Sequence, residues 1–173
     1  MEFNFLFLAL AALVPLVMGF LWYGPLLFQN AWMKQMGFTE ESLKGGNMAV
    51  IFILSYVFSF LLAFFLQFIT THQAGVYSSM VESGSTDLAT DAIVHFKEFM
   101  DAYGSNYRSF GHGALHGAMT GIFIVLPVLA TQAMFERKSF KYVAINAGYW
   151  IITIALMGGI VCKWGIEFNI LKS

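Results

Sequence analysis

Four histidines, His72, His95, His112 and His116, carry this chain's clearest capacity for chemistry. His112 and His116 are four residues apart, so on a helix their imidazoles share one face. Two imidazoles at that spacing can chelate a divalent transition metal. His72 and His95 are further nitrogen donors, and Asp87, Asp91 or Glu98 could complete the shell. No HExxH pattern is present, so a plainer reading stands beside the metal: His112 and His116 hydrogen-bonded within a helical bundle or at a wet interface, with His72 and His95 solvated. A third use is pH sensing, since imidazole changes charge near neutrality. No residue pattern assigns a catalytic group, and a metal is the sole cofactor these residues suggest.

The element that must position the pair is the run GHGALHGAMTG at 111–121. Gly113, Gly117 and Gly121 repeat every four residues and form one stripe, the small-xxx-small pattern that lets membrane helices approach closely. The histidines form a second stripe beside it, flanking the helix contact, because a polar ring facing hydrocarbon is costly.

Composition places that helix in a membrane. Of 173 residues, 58% are hydrophobic and 11% charged, and mean hydropathy is +0.70. Four windows, 3–33, 45–81, 109–135 and 142–162, contain no formal charge. Each supplies the roughly 20 apolar residues that a spanning helix needs. The expected fold is an all-α integral membrane four-helix bundle, a single transmembrane domain (1–173) with spans near 5–28, 48–69, 111–134 and 141–162. The net charge of −1 offers no basic surface for nucleic acid, and the single cysteine, Cys162, excludes an internal disulfide.

The first window carries Glu2 and stays apolar for more than twenty residues, so it reads as a permanent helix and not a signal peptide. Pro15 should bend it, and Pro25 marks its interfacial end. Trp22, Tyr23 and Trp32 suggest an aromatic belt, and Thr39 a cap ahead of Glu40 and Glu41. In the third span, Pro127 frees the carbonyl of Phe123 and should kink the helix. In the fourth, Asn146, Tyr149 and Thr153 share a face where Asn146 can bridge helices. Gly158 allows a close contact, and Lys163 and Trp164 suit an interface.

The runs GFLWYGPLLFQNAWMKQMG (19–37) and FERKSFKYVAINAGYWIITIALMGGIVCKW (135–164) resemble the bacterial membrane family catalogued as domain of unknown function 1761. The resemblance covers all four spans. It implies a compact four-helix membrane protein and brings no activity, cofactor or catalytic residue. The chain departs from that pattern in a longer link, 70–109, between the second and third spans. Its 73–86 stretch reads as loop, and 87–103 as an extra-membrane amphipathic helix capped by Thr86, with Leu88, Ala92, Phe96, Phe99 and Tyr103 as its apolar stripe.

Basic residues orient the chain. Lys34, Lys44, Arg137, Lys138 and Lys141 flank the two short loops, whereas Lys97, Arg108, Lys163 and Lys172 lie on the opposite side. The short loops are therefore expected in the cytoplasm. Both termini, the 70–109 insert and all four histidines then face outward, across a bacterial inner membrane.

Three functional classes follow. The first in rank is a structural or complex-forming envelope subunit, self-associating through glycine faces or bound to another membrane protein. Second is a homo-oligomeric channel or transporter for a small solute; the lack of any mid-membrane charge counts against ion coupling, and in a neutral-solute pore built from several copies Gln67, Thr131 and Asn146 would have to face a wet lumen. Third is a membrane enzyme or sensor with a histidine/carboxylate metal site at the outer face.

Overall fold

The computed structural model describes residues 1–43, 45–85 and 87–168. The expected base at Lys44, cap at Thr86 and base at Lys172 lie outside the described residues. Four helices are long and apolar enough to cross a membrane: Phe5–Trp22, Met48–Thr70, Phe110–Phe135 and Phe140–Trp164.

Helix α1 (Phe5–Trp22) starts where the Asn4 side chain accepts from the Phe7 amide, and it runs through Pro15. It stops six residues short of the expected 28. Pro25 disfavours helical backbone at Gly24, and a turn closes instead, with the Phe28 amide donating to the Trp22 carbonyl. The short α2 (Gln29–Met36) and α3 (Glu40–Leu43) follow, and Thr39 caps α3 through the Ser42 amide.

Asn47 caps α4 (Met48–Thr70). Thr71, extended at φ −112° and ψ 99°, breaks that helix, and α5 (His72–Ser79) restarts at once. The first half of the 73–86 stretch, through Ser79, is thus helical where a loop is expected from its Ser and Gly content, and 80–85 are non-helical as expected. The insert helix α6 spans Ala92–Tyr103, beginning five residues later than 87, because Leu88 is engaged in an antiparallel bridge with Val81. The insert helix is docked: Phe96 is fully buried, 5.4 Å from the Tyr77 ring and 5.8 Å from Phe168.

The third span contains α7 (Phe110–Thr120), a π-helical turn (Gly121–Val125) and α8 (Leu126–Phe135). The expected break at Pro127 takes this form. The Leu126 amide bonds to the Gly121 carbonyl five residues back, an i→i+5 bond that widens the helix just before the proline.

Helix α9 (Phe140–Trp164) is the centre of the bundle and buries eleven residues, more than any other helix. Leu8 and Ala11 of α1, Ala63 and Leu66 of α4, and Ile154, Met157 and Val161 of α9 make the core. On the other side of α9 the glycine ladder meets backbone. A Cβ on Gly113 would overlap the Gly158 carbonyl, and one on Gly117 would overlap the Ile154 carbonyl. One on Gly121 would stand 2.7 Å from the Ile151 Cα. The opposite faces of the helices expose large apolar side chains such as Phe20, Phe65 and Phe123, as expected where lipid is the solvent. Short strands β1 (Glu2–Phe3) and β2 (Ile166–Glu167) pair antiparallel at one end of the bundle.

Candidate metal centre

Two histidine-bearing segments meet at the end of the bundle that carries the β1–β2 pair. The break at Thr71 puts His72 on the first turn of α5, just beyond the end of α4. The Ser109 hydroxyl accepts from the His112 amide at 3.2 Å and so fixes where α7 begins. One turn further along α7 stands His116. Gly113 and Gly117, on the adjoining stripe, hold this helix tightly against α9 and leave the histidine stripe turned toward α4 and α5.

The three rings form a closed triangle. Centroids are 4.9 Å apart for His72 and His112, 5.1 Å for His72 and His116, and 4.5 Å for His112 and His116. One ligating nitrogen from each can be chosen so that all lie within 4.8 Å of one another. The Nε2 atoms of His72 and His112 are 2.9 Å apart and hydrogen-bonded, one ring donating N–H to the other's lone pair. A tetrahedral ion with metal–nitrogen bonds near 2.0–2.1 Å separates its ligand nitrogens by about 3.3 Å. The triangle is therefore close to ligand spacing on one edge and needs modest closure on the others. His72 is exposed and the α7 pair half-buried, so the group opens to the surface.

Tyr107 forms a wall of this group, with ring centroids 5.7 Å from His72 and 5.0 Å from His112. Its backbone is left-handed at φ 61°, uncommon for a residue with a side chain. Nothing local in the sequence marks that role, since the conformation belongs to the turn that leads out of α6 into α7. His95 stands apart from the triangle, exposed on α6 and 3.8 Å from Glu98. Asp87 and Asp91 are likewise absent from the group of convergent ligands. The structure thus brings together His72, His112 and His116, and leaves the other four expected donors, His95, Asp87, Asp91 and Glu98, outside.

The other features expected to matter are occupied structurally. Asn146 accepts from the Tyr23 hydroxyl at 2.9 Å and donates to the Tyr142 carbonyl at 2.8 Å. A cavity of about 640 Å³ lies toward the opposite end, lined by Pro15, Tyr23, Ser55, Tyr149 and Trp150 among others. The Tyr149 hydroxyl there donates to the Pro15 carbonyl at 2.8 Å. Gln67 is fully buried, whereas Thr131 is exposed on α8. Asn146 is engaged between helices.

A family model described as "Protein of unknown function (DUF1761)" matches residues 6–162. No curated protein matches the chain, and no solved structure does.

Proposed function

The chain belongs to the DUF1761 family, whose description carries no activity, and from its own residues we propose that it is a membrane metal-binding protein, holding a divalent transition ion on His72, His112 and His116. The observation that carries this reading is the convergence of three imidazoles from two segments forty residues apart, with ligand atoms within 4.8 Å of one another. Neutral imidazoles suit zinc, copper, nickel or iron, whereas magnesium and calcium prefer oxygen. Three protein ligands with an open fourth position are the layout of sites where the ion meets water or another small ligand, acting as a Lewis acid or as a sensed species.

This reading displaces the structural subunit from first place. The glycine ladder that favoured self-association faces α9 within the same chain and is not free for a second copy. The excess of bases beside the short loops supports a triangle on the outer face of a bacterial inner membrane.

The test is elemental analysis of protein purified without a histidine tag, wild type beside His72→Ala and His112→Ala/His116→Ala. About one equivalent of a transition metal in wild type, absent from both variants, is the expected result. Wild-type protein that stays metal-free after incubation with zinc, copper and nickel would overturn the reading.

A further inference from the structure

A buried amide or guanidinium needs a hydrogen-bond partner, because stranding such a group away from water costs about 1–3 kcal/mol, and more when it is charged. At the histidine-bearing end of the bundle, several have none within the protein. Gln67 is fully buried, and neither its Nε2 nor its Oε1 has a protein partner. Thr71 Oγ1, Gln73 Oε1 and Arg108 Nη1 are buried and unpartnered as well.

These groups gather around the outer end of α9. The Gln67 carboxamide lies against Gly165. The other terminal nitrogen of Arg108, Nη2, donates to the carbonyl of Ile166, the next residue along. The backbone carbonyl of Thr70, beside Thr71, accepts from the Cys162 thiol at 3.1 Å. Gln73 donates through Nε2 to the Asn106 carbonyl at 2.8 Å, which ties the Arg108 loop to the same corner. Burial pulls the Arg108 guanidinium below its usual range, against the opposing pull of Cys162 and Glu167.

Gly165 has ordinary backbone, φ −77° and ψ −28°, so its conformation does not call for glycine. Space does: a Cβ there would stand 2.5 Å from Gln67 Oε1. Gly165 is packed directly against the Gln67 carboxamide and the Val161 backbone, which seats that unpartnered carboxamide at the end of α9.

We propose that this corner encloses a buried-water site, in which ordered water bridges the Gln67 carboxamide and the Arg108 guanidinium. Water fits the set because it must both donate, to Gln67 Oε1 and Gln73 Oε1, and accept, from Gln67 Nε2 and Arg108 Nη1. Each internal water makes about three hydrogen bonds, so on the order of two molecules satisfy the group. At about one buried water per 27 residues, a chain of 173 residues accommodates about six. The site is independent of whether the histidines hold a metal.

The test is water-selective magnetisation transfer by NMR, on ¹⁵N-glutamine-labelled protein in lipid nanodiscs. A cross-peak from water to the Gln67 side-chain amide, assigned by connectivity from its backbone, is expected; no transfer to that amide overturns the proposal. Thermal unfolding of Gln67→Leu reads the same question by sign. If water is present, leucine strands Arg108 and lowers Tm. If the corner is dry, leucine removes two stranded atoms and raises Tm, which also overturns the proposal.

Discussion

The Nε2 atoms of His72 and His112 lie 2.9 Å apart and share one proton, although forty positions separate them in the chain. That bond holds two of the three imidazoles at nearly ligand spacing, and an arriving ion would replace the shared proton. Metal affinity should therefore depend on His72 as strongly as on the α7 pair. His72→Ala is expected to weaken binding by more than the roughly 10–100-fold that losing a supporting contact costs. His95→Ala should leave affinity unchanged, because His95 lies outside the triangle. Isothermal titration with zinc distinguishes the two.

Protons compete for the same lone pairs. Only neutral imidazole ligates, so occupancy should be high at neutral pH and fall in acid as protons displace the ion. Metal retained through dialysis at pH 7.5 and at pH 5.5 measures this, and equal retention at both would argue against imidazole ligands.

The contact between α7 and α9 should tolerate no added carbon. Gly117→Ala places a methyl group into the Ile154 backbone and is expected to destabilise the bundle by about 1–3 kcal/mol, as overpacking does. Gly111→Ala, with open space around it, serves as the control and should match wild type or slightly exceed it. Thermal unfolding in detergent reads both.

At the opposite end, Tyr23 and Asn146 bridge α1 and α9. Hydrogen bonds between membrane helices are worth about 0.6 kcal/mol on average. A double-mutant cycle with Tyr23→Phe and Asn146→Leu should return a coupling of that order.

Docking of the insert rests on Phe96. Phe96→Ala should free α6 from Tyr77 and Phe168 and raise its hydrogen exchange many-fold, while the amides of α4 and α9 keep their protection. Loss of protection in the spans as well would mean that the insert is part of the core.

The four spans were legible because each is a charge-free apolar run of bilayer length, a signal that needs no partner. Their ends were less so. The early stop of α1 depends on how Gly24 and Pro25 close a turn, and α5 was invisible because HQAGVYSS has no apolar period and includes Gly75. The ladder of Gly113, Gly117 and Gly121 announced a close helix contact, but only the fold assigns it to α9 of the same chain. For the site, alternation of the spans was enough to put His72 and His112 at one end. The absence of Asp87 and Asp91 from the group was not readable, since it follows from the bridge between Val81 and Leu88 that delays α6.

The core between α1 and α9, with the strand pair that joins residues 2–3 to residues 166–167, bears on how the protein is made. Helices enter a membrane in the order they leave the ribosome, so α1 and α4 pair early while the face they offer to α9 is still lined by lipid. The Asn4 amide, which bonds to the Gly165 carbonyl, waits for a partner more than 150 residues downstream. Entry of the last span is thus the step that supplies both the Gly165 carbonyl to Asn4 and the α9 side of the shared core.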